Sequence, residues 1–375
     1  MIKSVYIHIP FCSNICSYCD FCKIYYNSEM VFKYLNALKC EIKENYKGEV
    51  IDTIYIGGGT PSCLNIKELE KLFEIINLLK KSANLEFTFE CNIEDIEINK
   101  LKFLYQNGVN RLSIGVQSFN QKLLKLLNRH HSKQEVLDKI KLAKNIGFKN
   151  ISIDLIYAIK GQSLADIDSD IKNFLKLDIN HLSTYSLIIE PHTILYNKNI
   201  QPIDEELDYS MYKMICATLT NHGYKHYEIS NFAKHGYESK HNLTYWNNES
   251  YYGFGAGASG YTNNVRYDNT RNIIKYINKN YKKEEHIMTF NETCENEFIL
   301  GLRKIDGIDI YKFQNKYGFS PLNIPVVQKL IKSKSLIFYD KYLKINSELI
   351  YQENDILCEF LGINYSSFEI VKNVN

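Results

Sequence analysis

No apolar run in this 375-residue chain reaches the length of a membrane span, which predicts a protein not inserted in a bilayer. Neither charge sign is in excess: 45 Lys and Arg face 43 Asp and Glu, leaving a net charge of +2. That balance excludes the electrostatic case for nucleic acid, for an acidic tail and for strong attraction to anionic lipid. Internal repeats and low-complexity linkers are missing, and tryptophan occurs once, at Trp246. The N-terminus carries no basic and then apolar leader, because Met1 runs straight into a strand-like segment. Six of the ten cysteines (Cys40, Cys63, Cys91, Cys216, Cys294 and Cys358) are scattered singly, with no second separate C-x2-C. This predicts reduced thiols in a cytoplasmic protein rather than a disulfide framework.

What is present is concentrated near the start. Cys12, Cys16 and Cys19 stand at C-x3-C-x2-C spacing directly after the β-like run Val5 to Ile9. Three thiolates can hold three irons of a cubane cluster and leave the fourth iron open to a chelating small molecule. A ferredoxin closes its cluster with a fourth cysteine, and a structural zinc site also takes four ligands. Cys22 would supply that fourth ligand, so the local spacing leaves a closed four-cysteine site as the rival reading.

Apolar strand-like runs alternate with helix-period segments up to about residue 225, as parallel βα units do. The strands are predicted at Val5 to Ile9, Asp52 to Ile56, Leu85 to Glu90, Arg111 to Val116, Ile151 to Tyr157 and His181 to Ile188. In the crossovers, Leu69, Leu72, Phe73, Ile76 and Leu79 mark one buried helix face, with Glu68 among the polar positions; Leu137, Ile140, Leu142 and Ile146 mark another, stopped by Gly147. Six units without a seventh and eighth predict an α/β fold, a partial (β/α)6 barrel open on one side. Composition then shifts. Residues 231–290 are rich in Asn, Tyr, Gly and His and read as a connector, and 291–375 as a small helical, winged-helix-like domain ending in a hairpin. The barrel domain is therefore set at 1–230.

In such barrels reactive groups gather at the carboxyl ends of strands. Gly57-Gly58-Gly59-Thr60-Pro61 follows the second strand, where missing side chains let a polar ligand approach the backbone. It lacks the Lys-Ser/Thr of a phosphate loop and the spacing of a dinucleotide fingerprint. Glu90, Gln117 and Asp154 end or punctuate the next three strands, and Arg129 is the expected partner of the buried Asp154. His130 and His131 read as an exposed helix junction, and His222 sits beside a helix-ending Gly223.

These residues add up to a resemblance. Tyr6, His8, Pro10, the three cysteines, Tyr18, the triple glycine, Glu90, Arg111 to Phe119, Asn128-Arg129 and Ile153 to Ile156 resemble the radical S-adenosylmethionine superfamily, in the branch related to oxygen-independent coproporphyrinogen III oxidase. The resemblance implies a 4Fe-4S cluster on Cys12, Cys16 and Cys19. It further implies S-adenosyl-L-methionine bound by Tyr6, Tyr18, Gly58, Gly59, Thr60, Glu90, Gln117, Arg129 and Asp154. In that superfamily an electron from the cluster cleaves the sulfonium, so the cofactor supplies the hard chemistry. One loop departs: Ala158-Ile159-Lys160-Gly161-Gln162 stands where relatives have Gly-Leu-Pro-Gly-Gln.

Within the branch, the oxidases carry a cysteine two places after the third ligand, and here that place is Phe21. The chain also begins almost at its first strand, without the oxidases' N-terminal extension. Instead, His241-Asn242-Leu243-Thr244-Tyr245-Trp246 is similar to the H-N-x-x-Y-W signature of the HemW-like haem chaperones. That resemblance implies haem bound through His241, Tyr245 and Trp246. It also implies transfer to a haem-accepting protein, a respiratory one being in keeping with the group, and it leaves homodimer and monomer open. An imidazole suits haem iron, and the two aromatic rings supply flat apolar area. The alternative is a radical enzyme acting on a tetrapyrrole, as oxidase, methyltransferase or haem-degrading catalyst.

Overall fold

Apolar runs buried on both faces give six parallel strands: β1 (Ser4–Ile9), β2 (Val50–Gly58), β3 (Lys80–Asn92), β4 (Arg111–Gln117), β5 (Asn150–Tyr157) and β6 (His181–Ser186). They lie side by side in chain order, each paired in parallel with the next. This is the expected partial (β/α)6 arrangement, with helices supplying the crossovers. The computed structural model describes residues 1–368 and divides into two units. The first comprises Met1–Lys225, Phe232–His241 and Ser250–His286; the second comprises His226–Asn231, Asn242–Glu249 and the chain from Ile287.

The helices of the first unit are α1 (Ser28–Asn45), α2 (Ile66–Ile76), α3 (Ile98–Gln106), α4 (Gln121–Leu126), α5 (Lys133–Ile146) and α6 (Leu164–Leu177). Three begin with reciprocal capping boxes, Asn65 with Glu68, Ser132 with Glu135 and Ser163 with Asp166, which satisfy N–H groups that a helix leaves unpaired. Helix α2 buries Leu69, Leu72, Phe73 and Ile76 as its periodicity predicts. Glu68, expected on the polar side, is buried instead, because its carboxylate accepts from Tyr26, Ser28 and the Asn65 backbone as well as capping the helix. In α5 the buried face centres on Val136, Ile140 and Ala143, with Leu137, Leu142 and Ile146 half-buried beside it. Gly147 ends the helix at φ 124°.

The stretch 231–290 is not a free connector. Within it, β7 (Tyr251–Phe254) pairs in parallel with the outer edge of β1, and β8 (Ser259–Thr262), β9 (Val265–Asn269) and β10 (Lys282–Ile287) continue the sheet outward. Strand β1, which feeds the cysteine loop, is therefore hydrogen-bonded on both sides. Helix α1 is fastened to this extension by Glu41. Its buried carboxylate accepts from the Gly255 N–H at 2.9 Å, from Asn269 Nδ2 at 2.6 Å and from the Tyr276 hydroxyl. Tyr34 adds a hydroxyl that donates to the His8 carbonyl at 2.7 Å and accepts from the Ala256 N–H at 2.9 Å.

The second unit carries helices Phe290–Gly301, Ile310–Tyr317 and Pro325–Lys332 with a three-stranded antiparallel sheet of Ile308–Asp309, Leu336–Tyr339 and Tyr342–Ile345. The predicted hairpin is thus present and gains a third strand. Its core is aromatic: Phe298 stacks on Phe360 at 4.5 Å and also meets Phe313 and Tyr365. Residues 369–375 of the expected tail domain lie outside the described residues.

Candidate metal and cofactor site

The carboxyl ends of the parallel strands open into a cavity of about 680 Å³, counting its mouth to solvent. Its lining includes all three cysteines, Tyr18, Gly58, Gly59, Thr60, Glu90, Gln117, Arg129 and Asp154, so residues chosen from distant parts of the sequence meet in one place. Tyr6, expected there too, is not on the lining; it lies half-buried on β1, its ring 6.0 Å from Tyr55 and its hydroxyl on His8 Nδ1 at 3.0 Å. Strand register explains the convergence. Glu90 lies opposite Ser113, Gly115 opposite Asp154, and Asp154 opposite Ser183, all on one face of a sheet whose side chains alternate.

The cysteine loop is tied down around this cavity. Phe11 and Cys12 pair with Ile24 and Tyr25, and Ser17 N–H donates to the Leu127 carbonyl at 3.1 Å. Cys12 Sγ lies 3.6 Å from Thr60 Oγ1, and Arg129 Nη1 lies 3.7 Å from Cys16 Sγ. Burial pushes the Cys12 thiol up to about 12 and raises Cys19, so a thiolate is costly at both positions unless a cation compensates it. Among the described residues no three His, Cys, Asp or Glu side chains group closely enough for a single metal ion. Three cysteine thiols on the lining of one cavity are the donor type an iron–sulfur cluster takes, so the residues present fit one.

Cys22, the rival fourth ligand, is buried outside the cavity lining and donates from Sγ to the Arg271 carbonyl at 3.3 Å. His8 fixes the same residue from the other side, its Nε2 bonded to the Cys22 carbonyl at 2.8 Å. Burial lowers His8 to about 4 against the opposing effect of that bond, so this imidazole is neutral and must donate through Nε2.

Around the glycine loop there is no spare room. A methyl group on Gly59 would stand 2.8 Å from both Cys12 Sγ and the Phe11 carbonyl, and Gly58 holds φ at 123°, a region that suits glycine. The Gly58 N–H donates to Glu90 Oε2 at 3.1 Å, and Tyr55 donates to Oε1 at 2.7 Å. Burial outweighs these donors and brings Glu90 up to about 7. Gln117 adopts φ 68°, a strained backbone for a residue with a side chain, at the point where β4 turns into the cavity.

Arg129 does not pair with Asp154 as expected. Its guanidinium is held by Asn92 at 2.7 Å, the Gly115 carbonyl at 2.8 Å and Glu94 at 3.2 Å, while Nε is buried without a partner. Asp154 takes Ser113 at 3.4 Å and the charge of Arg111, and burial still raises it. His131 is buried, not exposed, because Glu94 reaches its Nδ1 at 3.3 Å. Desolvation would raise Glu94, but the His131 bond and the Arg129 charge outweigh it and hold that carboxyl at about 2. Asn92 and Glu94 escaped the sequence reading. The signal was there: Asn92, the last residue of β3, and Glu94 just beyond it continue the two-residue spacing of Glu90.

The six-residue signature falls on helix Lys240–Trp246, with His241 in the first unit and Asn242 onward in the second. His241 was expected to meet haem; it is buried, bonded through Nδ1 to Thr53 at 2.8 Å, and stacked on Tyr55 at 5.1 Å. Burial, then the Arg111 charge, lowers it to about 3. Glu86 receives the N–H groups of Lys240 and His241, both at 3.0 Å, anchoring the helix start. Tyr245 and Trp246 are half-buried, and Arg303 lies over the Trp246 ring at 6.0 Å.

Comparison with known proteins matches residues 6–174 to the radical SAM superfamily. The chain is 43% identical to a heme chaperone HemW of Bacillus subtilis, over 96% of this chain and 100% of the relative. It is 41% identical to a heme chaperone HemW of Lactococcus lactis, over 90% and 92% of the two chains. Among solved structures, coproporphyrinogen III oxidase (HemN) from Escherichia coli shares the fold with a TM-score of 0.84 at 21% identity, covering 96% of this chain and 90% of that one.

Proposed function

We propose, on the footing that this chain belongs to the HemW family of heme chaperones within the radical SAM superfamily, that it binds a 4Fe-4S cluster, S-adenosyl-L-methionine and haem, and delivers haem to an acceptor protein in the cytoplasm or at the membrane face. Cys12, Cys16 and Cys19 would hold the cluster, leaving one iron for the amino and carboxylate groups of S-adenosylmethionine. The bound pair supplies one-electron chemistry at the sulfonium. The chain's own residues would orient the cofactor: the Gly58–Thr60 backbone offers close approach, Glu90 and Asp154 can receive hydroxyls, and Arg129 on the same lining supplies positive charge for a carboxylate. One observation carries the reading: three cysteines, a glycine loop and two half-buried acids from separate strands line a single cavity.

Cluster assembly tests it directly. Replacing Cys12, Cys16 or Cys19 by Ala should each abolish the cluster, read as iron and acid-labile sulfide per chain, whereas Cys22→Ala should keep it. Loss on Cys22→Ala would establish the closed four-cysteine site instead. Anaerobic incubation with coproporphyrinogen III should leave that substrate unconsumed; turnover coupled to 5'-deoxyadenosine would favour the enzyme over the chaperone.

A further inference from the structure

Asn92 closes β3 and lines the cavity. Its backbone N–H donates to Ser62 Oγ at 3.0 Å, which fixes the residue where the strand ends. The side chain faces two partners at once: Nδ2 donates to Thr60 Oγ1 at 3.0 Å, and Oδ1 accepts from Arg129 Nη1 at 2.7 Å. A guanidinium can only donate, so the amide oxygen belongs to Arg129 and the amide nitrogen to Thr60.

Each of these partners also reaches one cysteine sulfur. Thr60 Oγ1 lies 3.6 Å from Cys12 Sγ, and Arg129 Nη1 lies 3.7 Å from Cys16 Sγ. A continuous path of polar contacts therefore joins the two thiols through Thr60, Asn92 and Arg129. Neither partner turns freely. Arg129 Nη1 spends its two hydrogens on Asn92 and Cys16, while Nη2 donates to the Gly115 carbonyl at 2.8 Å and to Glu94 at 3.2 Å. The Thr60 hydroxyl accepts from Asn92, so its own hydrogen is left for the Gly59 carbonyl at 2.8 Å or for Cys12 Sγ. A sulfur that gains negative charge is the stronger acceptor and draws that hydrogen to itself.

We infer that Asn92 is a positioning residue for the sulfur ligands of the cluster: its amide aims the Thr60 hydroxyl at Cys12 and the Arg129 guanidinium at Cys16, and so raises the potential at which the cluster accepts an electron. The inference rests on the cluster reading above and deepens it. Hydrogen bonds and positive charge at the sulfurs are levers by which a protein sets a cluster's reduction potential, and residues behind the ligands tune it by orienting those donors. Asn92 acts through its two partners, and an amide suits the place because it offers a donor to one and an acceptor to the other.

The test is a redox titration of the cluster-reconstituted full chain, followed by the paramagnetic resonance of the reduced cluster, with iron and sulfide per chain measured beside it. Asn92→Ala should keep the cluster and lower its midpoint potential by about 59 mV or more, a tenfold shift in a one-electron equilibrium. Asn92→Ser, whose single hydroxyl lacks the amide's reach to both partners, should do the same, and both cluster-free chains should melt within a few degrees of wild type. On a background of Thr60→Val with Arg129→Leu, which removes both donors, Asn92→Ala should leave the potential where that background has set it. A wild-type potential in both Asn92 variants, or an equal drop on the double background, would overturn the assignment and leave the cluster reading standing. So would loss of the cluster or of many degrees of melting temperature in both, which would make Asn92 a residue of assembly or packing. Failure of the wild-type chain to take up iron and sulfide would overturn the cluster reading itself.

Discussion

At the residue scale the site is governed by what cannot be added. Gly59 sits with its Cα hydrogen against the Cys12 thiol and the Phe11 carbonyl, and only the thiol can move. Gly59→Ala should therefore displace Cys12, lowering cluster occupancy well below wild type, and cost about 1–3 kcal/mol in stability by overpacking. Iron content and the denaturation midpoint of the cluster-free chain read the two effects separately. The same scale explains where sequence reasoning stopped. Cysteine spacing and the glycine run are local, and they were legible. The buried state of His131, the release of Arg129 from Asp154 and the burial of Glu68 depend on partners tens of residues away, Glu94, Asn92 and Tyr26, which no local pattern announces.

At the scale of elements, β-branched and continuous apolar runs made all six parallel strands legible, because a strand buried on both faces has no polar alternation to obscure it. The short strands β7 to β10 were not legible. Their Gly, Asn and Tyr content reads as loop, and only pairing with β1 gives them strand form. Glu41 binds α1 to that extension, and burial, chiefly, lifts its carboxyl to about 7 despite three donors, with Glu44 adding to the rise. Its unfolded counterpart titrates near 4.5, so between those values the native state holds the extra proton. Stability from this group is complete below about pH 4.5 and is lost as pH rises through 7, by about 3 kcal/mol in total. Melting curves at pH 5 and pH 8 should show a fall in wild type that is smaller in Glu41→Gln.

For the whole molecule, cofactor binding adds to the stability that packing supplies. A cofactor that occupies the cavity only in the native state stabilises it by mass action, about 2.7 kcal/mol at a hundredfold its Kd. S-adenosylmethionine should therefore raise the melting temperature of the cluster-loaded protein. The Cys12→Ala chain, lacking the iron that chelates the cofactor, should show little or no rise; an equal rise in both would mean that the glycine loop and acids bind the cofactor without the cluster. The near balance of charge over the whole chain predicts that this shift changes little with ionic strength.

Strand β1 is bonded to β2 on one side and β7 on the other, and the cysteine loop hangs from its end. In solvent-exchange terms, the amide protons of Tyr6, Ile7 and His8 belong to the slowest class, released only when the first unit opens as a whole. Between Ser13 and Lys23 fewer amides have a backbone partner, and exchange there should be faster except at Ser17 and Cys19, which bond to the Leu127 and Cys16 carbonyls. The three thiols proposed to hold the cluster thus hang from a loop with fewer backbone bonds than the strand that aims it.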